Sequence, residues 1–413
     1  MRKTILRAGA LLGALLVAAP AFAQEITFWS WRQEDTAVYQ QVIDSFEKAN
    51  PGITVKYEAF VPDQYNTILS TALSGGTGPD VMMVRAHGAL ETVAAGGYLM
   101  PLDAKTVPGL DTLPAPALAA ETSGGKIYAV PFASQTMLII YNKALFDKFG
   151  IAEPKTWDDL TKAAQTLKAN GIFGFANGTA TAWQNETIVS AIGSSLIGKD
   201  FYNDLMAGKT DFNDPRYVNA LAKLKEMSAY FPDGFQGLDY PSAQQLFASG
   251  LAGMFAGGSF ELATFKGLNP DLEMGVIPAP VAKDGDEPLV GLYFDGGYAG
   301  NAKTQHAEAV QKFLSYLTTK DFGQVFANKL NNVSPIPGVT FDNPLLQKVA
   351  GLDDHSIPYI MLVHFRYKEP SGSVLLQTAV QKMLAGESTP EDAAKSVTDG
   401  IATYYEPFQK LKK

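Results

Sequence analysis

The sequence predicts an α/β protein of two lobes, and three observations carry that expectation. Short β-rich runs alternate with stretches of helical periodicity along the first hundred residues. The alternation breaks after Val84 and starts again at Ile127. At 413 residues and 46% hydrophobic content, the chain exceeds what a single core usually serves. No repeat of solenoid or propeller period, charge run or low-complexity linker interrupts it.

The elements follow in order. Glu25 to Ser30 reads as a strand, and Val38, Val42, Ile43 and Phe46 then recur at helical spacing behind Asp35 as N-cap. Pro51-Gly52 stops that helix. A strand over 53–57, a helix over 64–73 and a compact apolar strand over 80–84 come next. After the break, 127–131 and 137–141 read as strands. Thr156 to Asp159 forms a capping-box pattern opening a helix through Lys168. A strand starts at 171–175, and 215–230 is an amphipathic helix with Val218, Leu221, Leu224 and Met227 on one face. Strands alternating with helices in this way build sheets covered on both faces, which take ligands beyond the carboxyl ends of their strands.

The N-terminus carries an address. Arg2, Lys3 and Arg7 precede an apolar run from Ala8 to Pro20, and Ala21-Phe22-Ala23 supplies an A-x-A cleavage site. That run falls short of the about 20 residues a membrane span needs. The mature chain is expected to begin near Gln24, where a lipoprotein would carry cysteine, and the chain has no cysteine at all. Periplasmic residence without a lipid anchor follows as an expectation. Losing Arg2, Lys3 and Arg7 takes the formal net charge from -9 to about -12, which disfavours nucleic acid and anionic lipid as partners.

Nothing in the pattern points to chemistry. His87, His306, His355 and His364 lack metal-ligand spacing, so no metal and no cofactor is expected. There is no G-x-S-x-G or P-loop element. The acidic pair Asp158-Asp159 suits the first turn of a helix, and the pair Tyr404-Tyr405 suits packing.

Five stretches resemble one family. They are Gly75 to Val81 leading into a Pro-Asp strand, Tyr141-Asn142-Lys143, Pro154 to Leu160, Phe247 to Met254 and Ala385 to Ala393. In this order, behind an export signal, they resemble the extracellular solute-binding proteins of family 1, the maltose-binding-protein-like sugar-binding subunits of ABC importers. The resemblance implies a two-lobe periplasmic binding protein fold, with discontinuous lobes and a hinge of about three chain crossings. The first lobe would hold 24–131 and 278–340, and the second 132–277 and 341–413. The crossings would lie near Pro131 to Ala133, near Val276 to Pro280, and between Pro335 and Leu346. It also implies a carbohydrate ligand, an inner-membrane permease partner, a monomeric chain and no enzymatic activity. A periplasmic glycoside-acting enzyme, or the same fold holding a polyamine or an iron chelate, are the other readings.

Sugar sites join planar polar side chains to aromatic faces, which selects the candidates. Gln33 and Glu34 follow the first strand. Asp80 opens the third strand, as a ligand acceptor or as the cap of a turn beside Pro79. Arg85 ends that strand, as a ligand contact, an Asp80 partner or a surface cation. Gln135 and Thr136 follow the first crossing, facing a cleft or solvent. Trp183 lies in a polar stretch, as a lid or a packing staple. Phe260 offers a stacking face and Glu261 an acceptor. Asp295, with Gly296 and Gly297, marks either close backbone approach to a ligand or a β-bulge. Arg366 precedes the turn at Pro370. Ser373 and Val374 stand where maltodextrin binders often place an aromatic, which favours a smaller or more polar glycoside.

Overall fold

The computed structural model describes residues 24–411. The export pattern over 1–23 lies outside the described residues. Two sheets organise the rest. In the first, Ile53–Ala59, Gln24–Ser30 and Val81–Arg85 run parallel, and Gly296–Gly300 and Ala129–Pro131 complete the far side antiparallel. The second is built on the nine-residue strand Ser134–Asn142, buried along its whole length. Ala252–Gly258 pairs along one edge of it. Val290–Phe294 and Met274–Ile277 share the other edge, and Phe173–Phe175 and Ser356–Pro358 form the margins.

Each sheet has its own core. Under the first, Phe28 meets Tyr39, Tyr298 and Phe313 edge to face, and the Tyr39 and Tyr298 hydroxyls bond at 2.7 Å. Burying such a ring contributes about 1.5–3 kcal/mol. Under the second, the helix Ala182–Met206 packs against Pro215–Met227 and Gly372–Leu384. Local chemistry explains several element starts. The expected capping box forms, with Thr156 Oγ1 accepting from the Asp159 amide while the Asp159 carboxylate accepts from the Thr156 amide. Asp35 precedes the helix Thr36–Ala49 without capping it, because its carboxylate pairs with Arg32 instead.

Three crossings join the lobes side by side. Phe132-Ala133 links Ala129–Pro131 to Ser134–Asn142, and Asp295 links Val290–Phe294 to Gly296–Gly300. The Asp295 amide donates to the Ala133 carbonyl at 3.2 Å, and the Ser134 amide to the Val333 carbonyl at 3.0 Å. The third passage is spread out: Leu330 and Ile336 pack with the first core, but Val333 with the second.

This corrects the expected second crossing. Val276 to Pro280 does not leave the second lobe, because Met274–Ile277 pairs with Asn142 back to Ile139. Pro278 and Pro280 instead punctuate a loop that brings Val290–Phe294 back onto the same strand. Residues 278–294 therefore belong with the second lobe. The second change of lobe comes at Asp295.

Candidate functional site

Parallel strands end at one edge, and this gives the molecule its cleft. The three parallel strands of the first lobe finish facing the edge where Ala252–Gly258, Val290–Phe294 and Ser356–Pro358 finish in the second. Between them lies a cavity of about 720 Å³, within the size range of small-molecule sites.

The first-lobe wall is charged. Arg85 ends its strand with its guanidinium 4.0 Å from the centre of the Trp31 ring, and it pairs with Asp295 at the crossing. A ring face and a carboxylate thus fix the plane of a five-donor group, leaving donors over for a ligand. Gly296 makes room for this arrangement: a Cβ there would stand 3.0 Å from Trp31 Cη2 and collide with the Val84 carbonyl. Arg32 is held by Asp35 and, at 3.6 Å, by Glu34. Asn66 reaches the cleft from the second helix.

The second-lobe wall is aromatic. Trp183 meets Tyr240 edge-on at 4.7 Å and stands 6.3 Å from Phe260, while Tyr293 and Tyr359 are 5.6 Å apart. Two buried carboxyls lie in or beneath this wall. Glu186 lines the cleft and accepts from Ser373 Oγ at 3.0 Å and Gln377 Nε2 at 2.9 Å; burial holds its pKa above the usual range. Glu261 accepts from the Tyr240 hydroxyl at 2.8 Å and Gln244 Nε2 at 2.7 Å, and burial pushes it up to about 7.

Glu34, Arg85, Gln135, Trp183, Phe260, Asp295 and Arg366 all line the cleft. Trp183 does so from the first turn of a helix rather than from a loop. The other candidates stand elsewhere, each for a physical reason. Asp80 precedes the strand that Arg85 ends, roughly 15 Å away at about 3.3 Å per residue. Its carboxylate accepts from the Thr27 amide and hydroxyl, both at 2.9 Å, and from Thr304 Oγ1 at 2.5 Å. It ties strands together at the end of the sheet remote from the cleft. Gln33 is exposed in a short 3-10 turn and outside the lining. Thr136 is one residue from Gln135, so the alternation of a strand turns it to the opposite face, where it donates to Asp353 at 2.7 Å. Glu261 is 1% exposed and holds Tyr240 from behind. Gly296 and Gly297 sit within a strand and admit protein rather than ligand: a Cβ at Gly297 would lie 2.6 Å from Ala129 Cβ.

Asn66, Glu186, Tyr240, Tyr293 and Tyr359 were not among the candidates, yet all reach the cleft. Two carried a usable signal. Glu186 lies one turn beyond Trp183 on the same helix, and Tyr293 shares strand parity with Asp295. Tyr359 follows a three-residue strand too short to announce itself.

The comparisons agree with this architecture. The chain is 27% identical over 404 residues to the Multiple sugar-binding protein of Streptococcus mutans serotype c, covering 93% of this chain and 90% of that one. It is 27% identical over 307 residues to the Maltotriose-binding protein of Pyrococcus abyssi, covering 71% and 62%. A solved Chitin oligosaccharide binding protein shares the fold with a TM-score of 0.74, at 24% identity over 91% of this chain and 97% of that one. A family model described as bacterial extracellular solute-binding protein matches residues 29–324, and the chain belongs to that family.

Proposed function

We propose that this chain is the solute-binding subunit of an ABC importer and holds a carbohydrate between its lobes. The observation that carries this reading is the pairing of unlike walls across one cleft. Arg32, Glu34, Arg85 and Asp295 present planar charged groups suited to vicinal hydroxyls, and Trp183, Phe260 and Tyr240 face them with rings suited to the C–H faces of a pyranose. The names of the relatives, binders of multiple sugars and of maltotriose, point the same way. Arg32, Arg85 and Arg366 in the lining disfavour a polyamine.

Export into the periplasm follows from the charged and apolar pattern before Gln24. The protein then hands its cargo to an inner-membrane permease. It returns its ligand chemically unchanged.

A thermal-shift screen over mono- to tetrasaccharides, sugar alcohols and polyamines tests the reading, with calorimetry on each hit. Stabilisation by one or more saccharides, with the intact sugar recovered afterwards, is expected. Stabilisation by polyamines alone, or release of a smaller sugar, rejects it.

A further inference from the structure

Behind the crossings lies a second cavity, of about 970 Å³. The crossing strands separate it from the cleft, with Gln135 and Met137 facing one side and Ser134 the other. Beyond the strands, a close contact between the lobes lies on the partition. Tyr367, which lines only the cleft, lies against Gly88, which lines only the rear cavity. Gly88 is the first residue of the helix Gly88–Ala95 in the first lobe, and Tyr367 follows the helical turn Met361–Phe365 in the second.

The contact is tight. A Cβ at position 88 would stand 2.5 Å from both Cβ and Cγ of Tyr367. Cβ does not move when a side chain changes rotamer, so no swing of the ring relieves that overlap. The glycine is not there for its backbone, because Gly88 is not among the positive-φ glycines. Position 88 is thus small because the opposite lobe comes to rest on it.

We propose that Tyr367 seated on Gly88 seals one end of the cleft, and that this seal sets both how far the lobes close and how long a saccharide the cleft accepts. The proposal rests on the carbohydrate reading only for the identity of the cargo. Tyr367 is 41% exposed and lines the cleft, so it bounds the ligand space while still meeting solvent. A chain of sugars running toward it meets the ring rather than an open groove.

Two experiments test this. The first uses the saccharides that bind the parent in a panel graded by length. Gly88→Ala is expected to weaken them about tenfold or more, because the closed state is depopulated. Gly88→Ala combined with Tyr367→Gly is expected to recover closure, since only glycine at 367 removes the offending Cβ. Tyr367→Ala, which keeps Cβ but opens the seal, should narrow the preference for shorter over longer saccharides by about tenfold. Parent-like affinity in Gly88→Ala, a double variant no better than the single, or an unchanged length preference in Tyr367→Ala each overturns the proposal. The second experiment needs no sugar. The chain has no cysteine, so Gly88→Cys with Tyr367→Cys places the only two thiols across the gap. A disulfide spans about 3.8 Å between its Cβ atoms, wider than the 2.5 Å of the seated contact. Diamide should therefore join them within one chain as the lobes swing just short of full closure, and saccharide should accelerate the reaction. Failure to cross-link in either condition rejects the seal. A parent that binds no saccharide while the pair still cross-links rejects the carbohydrate reading and leaves the contact standing.

Discussion

The two walls of the cleft are built by opposite strategies. The first-lobe wall is made of charges that neutralise one another before any ligand arrives, Arg85 with Asp295 and Arg32 with Asp35 and Glu34. The second-lobe wall is made of rings packed on one another and backed by carboxyls that burial keeps protonated more readily than usual. Rings attract a sugar face through area and tolerate sliding, whereas a guanidinium fixed against a tryptophan demands one orientation. On the proposed carbohydrate reading, the difference gives the second lobe to capture and the first to discrimination on closure.

Four substitutions break or sharpen that division. Arg85→Met has the largest expected effect. Hydrogen bonds to a charged group contribute about 1.5–3 kcal/mol each, so losing one weakens binding roughly ten- to hundredfold at about 1.4 kcal/mol per decade. Calorimetry should show this loss carried mainly by one stereochemical subset of sugars. Equal loss across all of them would move discrimination elsewhere. Trp183→Ala comes next, with a loss of about tenfold spread evenly over ligands, and Trp183→Phe should recover part of it. A loss confined to one epimer would contradict the capture role.

Glu261→Gln tests the backing of the aromatic wall through pH. The Glu261 pKa of about 7 stands above its ordinary 4.5, so between those values the folded chain keeps a proton that the unfolded chain has released. Stability therefore falls as pH rises through that window, by roughly 3 kcal/mol at about 1.4 kcal/mol per unit. His87, lowered to about 4 by burial, works the other way as pH drops below 6.5. The difference in apo melting temperature between parent and Glu261→Gln isolates the first effect, because the second cancels. A difference that does not vary between pH 4.5 and 7 would refute the assignment.

Asp80→Ala has the smallest expected effect on affinity, none within error. It should lower apo stability by about 2 kcal/mol through the lost Thr27 and Thr304 bonds. Weakened sugar binding in a variant of unchanged apo stability would return Asp80 to the site.

Asp80 and Arg85 also show how far the sequence could be read. Both flank the same compact strand, and residue type alone makes either a sugar contact. Only the direction of the strand separates them, since parallel strands end together and Asp80 stands at the wrong end. Gln135 and Thr136 repeat the lesson across a strand rather than along it, where a shift of one residue exchanges the cleft for the opposite face. Local pattern located the strands as far as Phe173–Phe175, the Thr156 capping box and several residues just past strand ends. It failed where position depended on pairing between distant segments. The resemblance put a crossing at Val276 to Pro280, and local pattern could not correct it, because a proline-bounded exit from a strand reads the same whether the chain changes lobes or turns back along its neighbour. Tyr240 and Tyr359 reach the cleft only through such long-range assembly.

The strand Ser134–Asn142 has a consequence for how the protein comes into being. Its partners are drawn from as far as Val290–Phe294, the sheet margin comes from Ser356–Pro358, and the helix Ala182–Met206 is covered only when Gly372–Leu384 arrives. A growing chain of 340 residues can therefore complete neither that margin nor that layer. Contacts so distant in sequence make for slow folding. A chain completed so late would stay threadable until synthesis ends, which suits the export proposed above.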